Sequence, residues 1–306
     1  QADKLTIANF RGELQKLVKT LAEKEGDAPA KPVVLIIDEL DRCRPTYAVE
    51  LLEKVKHLFS VEGLVFVLAI DREQLGESVR ALYGAKLNAD GYLRRFIDLE
   101  YRLPEPDREK FATSQFERFG LDAALNAKVG ETRHDSENMR KQLPKLFALF
   151  RFSLRTQEQC FAQLGVILRT TPANSYLYAT QLVLLLCLRA ANRELFLRYC
   201  NGHAMPKDVL DYLRSVPGGA TMVASQEGEW IEAHLVVGIV DERARELEMR
   251  RYYDLAKQEA DENETHQRSK RIAQNFQWIG RNASNMTLYL FNKIEMAHRF
   301  VAIGAK

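Results

Sequence analysis

Residues 31–45 read KPVVLIIDELDRCRP, and this stretch decides the predicted fold. Its aliphatic run, Val33 to Ile37, has no polar break and ends in the acids Asp38 and Glu39. Such a run, rich in β-branched residues, is typical of a strand buried on both faces of a parallel sheet. Ligands bind at the carboxyl ends of such strands. The two acids are therefore predicted to lie at a functional edge, although a strand that ends in a merely solvated acidic pair would have the same pattern.

A second apolar run follows at residues 64–70 and ends at Asp71. Between the two runs, Pro45 begins a stretch with helical periodicity that extends to about Phe59. Two apolar strands joined by a helix form a βαβ unit, in which the strands are parallel. The sequence therefore predicts that Asp71 lies at the same sheet edge as the first pair of acids.

Composition excludes several classes of protein. The 306 residues are 46% hydrophobic and 28% charged, with a net charge of +2, which is ordinary for a globular protein and gives no argument for an anionic partner. The four cysteines show no CxxC spacing, which argues against a zinc site or a disulfide framework. The most apolar stretch, residues 182–188, is far shorter than the roughly 20 residues of a membrane span. We therefore expect a cytoplasmic protein.

The remaining periodicities predict a change from α/β to helical structure. Residues 6–24 have the pattern of an amphipathic helix, residues 72–82 that of a short helix and residues 92–97 that of a helix end. Residues 98–103 alternate apolar and polar side chains, which predicts a partly exposed strand. Pro104 and the nearby Pro106 mark the domain boundary, so we predict one part at 1–107 and a second at 108–306.

Beyond this boundary nearly every segment has helical periodicity. The predicted fold class is therefore α/β with a partial parallel sheet, followed by a mostly α-helical domain. A polar loop is predicted at 128–138 and an exposed polar stretch at 258–270. The predicted helices cover residues 108–119, 139–152, 154–168, 177–193 with an extension to 199, 207–214, 230–253 and 286–302.

The segment DELDRC at residues 38–43 resembles the acidic strand end, the Walker B motif, of the KAP family of P-loop NTPases. The resemblance continues through VFVLAIDR at 65–72 and YLRRFI at 92–97, and it covers about residues 31–107. A weaker likeness lies at 152–155. Most family members have Asp where this chain has Glu39, as in AAA+ and STAND relatives.

One element of the family pattern is missing. The sequence contains no Gly-x-x-x-x-Gly-Lys-Ser/Thr, the loop whose backbone N–H groups and Lys hold phosphates. In the family that loop precedes the acidic strand, so we expect the present sequence to begin after it. The alternative is a degenerate fold that no longer binds nucleotide.

The resemblance implies a role for each candidate residue. Asp38 would coordinate Mg²⁺, Glu39 would act as the general base, and Asp71 would sense the γ-phosphate. Each of these acids has a competing role as a helix cap, most strongly Asp71. Further candidates are Asp41, Arg94, Arg95 and Arg155.

Two of these further candidates would bind the nucleotide and two would assist catalysis. Asp41 would support the nucleotide site from beside Asp38, and Arg155 would contact nucleotide from the lid. Arg94 and Arg95 are candidates for an arginine finger or an interface contact, because a guanidinium matches phosphate geometry. Exposed arginines that are only solvated are the competing interpretation.

The implied ligands are ATP and Mg²⁺, and the implied function is an ATP-driven conformational switch. The family resemblance suggests anti-phage defence in bacteria and self-association or a partner protein. The alternative is a scaffold of the same fold without turnover. Nucleic-acid binding is disfavoured because Glu residues interrupt the Arg-rich stretch at 243–251.

Overall fold

The computed structural model describes residues 2–22, 32–58, 61–126, 133–173, 175–257, 264–279 and 285–301. The chain divides into two compact units, Gln1–Pro104 (unit 1) and Glu105–Lys306 (unit 2). This division lies three residues before the boundary predicted from the two prolines.

Unit 1 is built on a βαβ unit. Its strands pair in parallel, in a register that runs from Val33 opposite Leu64 to Asp38 opposite Ala69, as the sequence predicts. A 3-10 turn at Leu40–Arg42 follows the first strand. The elements of unit 1 are α1 (Ala2–Ala22), β1 (Val33–Asp38), α2 (Pro45–Lys56), β2 (Leu64–Ala69), α3 (Arg72–Tyr83) and α4 (Ala89–Leu93).

The core of unit 1 lies on one side of the two-stranded sheet. Ile37 and Leu68 project from the sheet and pack against the apolar faces of α2 and α3. Pro45 occupies the first turn of α2, where its missing N–H has no helical partner to lose. The buried residues of this core are Leu40, Ala48, Val49, Leu52, Leu75, Val79, Ala89, Leu93 and Phe96.

The opposite side of the sheet is exposed, so the prediction of a strand buried on both faces is wrong. Side chains alternate along a strand, and the register places four aliphatic residues together on this side. We call them the sheet face: Val34, Ile36, Val65 and Val67. All four are exposed, because the residues that the structure describes place no layer of helices over them.

The strand predicted at residues 98–103 is absent: all six residues are described, and none of them has regular secondary structure. Leu99, Tyr101 and Leu103 are all exposed. An alternating pattern forms a strand only where a neighbouring strand completes its hydrogen bonds, and none of the described residues provides one here. The predicted helix end at 92–97 is also too long, since α4 ends at Leu93 and a turn follows.

All the regular secondary structure that the structure describes in unit 2 is helical, as predicted. Its centre is a helix in which every residue from Ala179 to Arg189 is buried, which confirms the prediction of a core helix there. The helices are α5 (Arg108–Arg118), α6 (Leu121–Asn126), α7 (Arg133–Leu149), α8 (Leu154–Thr170), α9 (Ala179–Ala191), α10 (Arg193–Cys200), α11 (Pro206–Ser215), α12 (Gly219–Ala224), α13 (Gln226–Val237), α14 (Glu242–Lys257), α15 (Glu264–Ile279) and α16 (Met286–Val301).

Local breaks divide two of the predicted long helices. Asn192 ends α9 and caps α10, because its side chain accepts a hydrogen bond from the N–H of Leu195. The helix predicted at 230–253 is two helices that meet near Gly238. The loop predicted at 128–138 becomes helical from Arg133 onward, whereas 128–132 lie outside the described residues.

Two buried carboxylates on α13 connect three helices of unit 2. Both carboxylate oxygens of Glu229 on α13 accept hydrogen bonds from Arg271 on α15, at 2.7 and 2.9 Å. Glu232, one turn further along α13, accepts from Arg268 of α15 and from the hydroxyl of Tyr252 on α14. Burial and the adjacent carboxylate raise the pKa of Tyr252. Glu229 and Glu232 are both buried, and each has the hydrogen-bond partners that burial of a carboxylate requires.

His234 lies one turn beyond Trp230 in the same helix and is buried. Its Nδ1 is 2.9 Å from the carbonyl oxygen of Trp230, and its ring packs edge-on against the indole at 4.8 Å between centroids. Burial lowers the pKa of this imidazole to about 4, although the carbonyl favours its charged form. The folded protein therefore holds His234 neutral at physiological pH.

The four cysteines are reduced and have different surroundings. Cys160, Cys187 and Cys200 are buried in unit 2, and burial raises the pKa of each thiol, that of Cys160 to about 12. Cys43 is half-buried in unit 1, where it follows the acidic turn. The buried thiols have the character of small apolar core residues.

Candidate functional site

Two consecutive acids occupy the carboxyl end of β1. Asp38 is the last residue of the strand, and Glu39 begins the turn that follows it. Both side chains are exposed. The Oδ1 atom of Asp38 accepts a hydrogen bond of 2.7 Å from the N–H of Glu39, which fixes the orientation of the Asp38 carboxylate at the sheet edge.

Glu39 has a left-handed backbone conformation, with φ 59° and ψ 23°. A residue with a Cβ adopts this conformation at a cost of about 1 kcal/mol, and such strain occurs often at functional sites. The turn is anchored by Leu40, which is buried in the core of unit 1. Glu39 also receives a hydrogen bond of 2.6 Å from Arg42 Nη1, so its carboxylate is held in an exposed ion pair.

Asp71 lies two residues beyond the end of β2. The parallel register sets Asp38 opposite Ala69, so both strands direct their terminal acids to the same edge of the sheet, as predicted. Asp71 Oδ1 accepts hydrogen bonds from the N–H groups of Glu73 at 2.9 Å and Gln74 at 3.2 Å. Asp71 therefore caps α3, which is the competing role that the sequence left open.

The arginine candidates are distributed over both units. Arg94 and Arg95 are exposed just after α4, and the Arg95 guanidinium lies 5.6 Å from the centre of the Tyr92 ring. Arg155 belongs to unit 2, where it is exposed in the first turn of α8. Asp41 is half-buried inside the acidic turn. The roles of these four residues stay predictions.

Arg72 is a residue of this edge that the sequence analysis did not single out. It follows Asp71 directly and binds Asp90 at 3.2 Å through Nη2, while its Nη1 donates to Glu100. Its buried Nε has no hydrogen-bond partner among the described residues. The only indication in the sequence that Arg72 lies at the candidate site is its position directly after Asp71.

A second cluster that the sequence did not reveal connects α2, α3 and α4. The hydroxyls of Tyr83 and Tyr92 each donate a hydrogen bond of 2.9 Å to Glu53 Oε1. Burial, reinforced by the Tyr83 and Glu53 hydrogen bonds, raises the pKa of Tyr92. The cluster joins elements distant in sequence, so no local pattern predicts it.

The acids at the sheet edge suit a metal that takes few ligands from protein. No group of three or more His, Cys, Asp or Glu side chains that could hold a metal occurs among the residues that the structure describes. Mg²⁺ often binds through one or two carboxylates, with water and substrate phosphates completing its coordination. An exposed Asp38 fits that requirement and does not fit a fully protein-built metal cage.

Comparison with known proteins gives one match. A family model described as the KAP family P-loop domain matches residues 9–172, which is more than half of the chain and extends past the division between the two units. The comparisons with curated proteins and with solved structures found no match. No described helix has both the length and the apolar character that crossing a membrane requires.

Proposed function

Because the chain belongs to the KAP family of P-loop domains, we propose that it carries the acidic side of a site that binds ATP and Mg²⁺ and hydrolyses ATP. The observation that carries this proposal is the parallel pairing of β1 and β2, since it brings Asp38 and Asp71 to one sheet edge. Hydrolysis would drive a conformational switch, in which unit 2 acts as a lid or effector-coupling domain.

The two acids after β1 would divide the chemistry between them. Asp38 would hold Mg²⁺, which neutralises negative charge on the phosphate oxygens. Glu39 would orient the attacking water and accept its proton. The ion pair between Glu39 and Arg42 has to open first, but an exposed pair of this kind contributes at most about 1 kcal/mol and is a small obstacle.

The remaining candidate residues would assist this chemistry. Asp71 would sense the γ-phosphate, Asp41 would support Asp38, and Arg155 would reach the nucleotide from the helical unit. Arg94 and Arg95 would stabilise the transition state in a neighbouring copy. The sequence has no phosphate-binding loop motif, so the proposal requires phosphate-binding groups from outside residues 1–306.

The test is ATP binding and hydrolysis by the full gene product that contains these residues. We expect hydrolysis to depend on Mg²⁺, and we expect Asp38→Asn to raise the Mg²⁺ concentration needed by at least about tenfold. Asp211→Asn, an exposed change on α11, is the control and should leave the Mg²⁺ dependence unchanged. A gene product that neither binds nor hydrolyses ATP would replace the enzyme proposal with the scaffold alternative.

Two substitutions at Asp71 separate its capping role from phosphate sensing. Asn caps a helix as well as Asp does, so Asp71→Asn should leave the free energy of unfolding unchanged, whereas Asp71→Ala should lower it by about 1 kcal/mol. We expect both variants to lose hydrolysis by at least about tenfold, because both lack the carboxylate. If Asp71→Asn hydrolyses ATP at the native rate, Asp71 caps α3 and does not sense phosphate.

A further inference from the structure

Arg72 joins three segments of unit 1 that are separated in sequence. It is the first residue of α3 and directly follows Asp71. Its Nη2 lies 3.2 Å from the carboxylate of Asp90 in the first turn of α4, and its Nη1 donates a hydrogen bond to Glu100. The start of α3, the start of α4 and the segment that follows α4 therefore meet at one guanidinium.

The surroundings of this guanidinium differ from those of a solvated arginine. Only 27% of the Arg72 side chain is exposed, and its Nε atom is buried. Asp90 and Glu100 bind its two Nη atoms separately, which the planar fork of an arginine allows and the single ammonium group of a lysine does not. Glu100 also contacts Arg102, with 3.3 Å between Oε1 and Nε, so both oxygens of Glu100 have basic partners.

This contact connects the candidate phosphate sensor with the chain that leads into unit 2. The carboxylate of Asp71 accepts hydrogen bonds from two N–H groups in the first turn of α3, so Asp71 and the start of the helix are held together. Glu100 lies in residues 98–104, which we call the connecting segment because unit 2 begins at the next residue. The Arg72 side chain therefore bridges the helix start that carries Asp71 and the connecting segment.

We propose that Arg72 is a positioning residue, whose pair with Glu100 couples the position of Asp71 at the sheet edge to the connecting segment. The proposal rests on the proposed ATPase function, in which Asp71 senses the γ-phosphate. Such coupling is reciprocal: if the pair favours γ-phosphate binding at Asp71, then the γ-phosphate favours the pair. ATP should therefore hold the connecting segment in place more firmly than ADP, which has no γ-phosphate.

The first test is the steady-state kinetics of ATP hydrolysis by the full gene product that contains these residues. We expect Glu100→Gln to lower kcat by about tenfold or more with little change in the KM for ATP, because a misplaced sensor impairs the catalytic step. Asp98→Asn is the matched control, since it removes the same charge from an exposed position of the connecting segment. This control should leave kcat unchanged.

A double-mutant cycle tests whether the pair, and not either charge alone, is responsible. Arg72→Lys keeps the positive charge but loses the planar fork, so it should lower kcat about as much as Glu100→Gln does. The protein with both substitutions should be no slower than the slower single variant, because both changes remove the same contact. If the two effects multiply instead, the two residues act independently and the proposal is wrong.

Amide hydrogen exchange of the connecting segment tests the reciprocal effect in the same gene product. With Mg²⁺ and a non-hydrolysable ATP analogue, these amides should exchange at least about fivefold more slowly than with ADP. The difference should vanish in Glu100→Gln and persist in Asp98→Asn. Equal exchange with both nucleotides in the native protein, or a native kcat in Glu100→Gln, would overturn the proposal while the ATPase function stands. A native gene product that does not bind ATP would overturn both.

Discussion

Replacing Glu39 with Gln is expected to lower the rate of ATP hydrolysis by the full gene product by about a hundredfold or more, while ATP binding is retained. The amide has nearly the same shape as the carboxylate but cannot accept the proton of the attacking water, and a positioned general base contributes about 10² to 10⁴ in rate. The measurement is single-turnover hydrolysis, beside equilibrium binding of ATP in the presence of Mg²⁺.

Glu62→Gln supplies the matched control for this experiment. Glu62 is exposed and precedes β2, so it lies at the opposite edge of the sheet from Glu39. Its replacement removes the same charge and should leave hydrolysis unchanged. If Glu39→Gln hydrolyses ATP at the native rate, Glu39 is not the general base.

Acidification is expected to destabilise unit 2 through His234, by about 3 kcal/mol between pH 6.5 and pH 4. The pKa of this imidazole is about 4 in the folded protein and ordinarily 6.5, so the unfolded chain binds the proton first as the pH falls. Stability from this group is therefore complete above pH 6.5, declines down to about pH 4 and changes little below it. The measurement is the free energy of unfolding by denaturant across this pH range.

Comparison with His234→Gln separates this effect from the carboxylates that also titrate there. The variant is expected to show a pH dependence of unfolding that is weaker by about 3 kcal/mol over the same range. The imidazole can also be followed directly by NMR, where its resonance should shift only near pH 4. Equal pH dependence in the two proteins would show that His234 is not held neutral by the fold.

The backbone of unit 1 was the most predictable part of the molecule, because its signals are local. An unbroken apolar run, a Pro at a helix start and a second apolar run predict β1, α2 and β2, and the chirality of crossovers predicts their parallel pairing. The common edge of Asp38 and Asp71 follows from that pairing.

What the sequence could not predict depends on contacts between distant residues. The pattern of residues 98–103 specifies a strand only if a partner strand lies beside it, and the burial of β1 depends on what covers the sheet. The burial of Glu229 also depends on a distant residue. Its neighbours in sequence resemble those of a solvated glutamate, but Arg271, 42 positions away, pairs with it in the folded protein. The ion pair of Glu39 with Arg42 joins residues that are close in sequence. Its geometry depends on the left-handed backbone conformation of Glu39, which residues other than glycine seldom adopt.

The contrast between the cysteines gives unit 1 a natural position for a spectroscopic label. A thiol reacts as its thiolate, so the three buried thiols of unit 2, with their raised pKa values, are poor targets for a maleimide. Cys43 is more accessible, and its Sγ lies 3.7 Å from the carbonyl oxygen of Glu39. A fluorophore attached there without any mutation would sit on the acidic turn, so its emission would report movements of that turn while the core of unit 2 stays unlabelled.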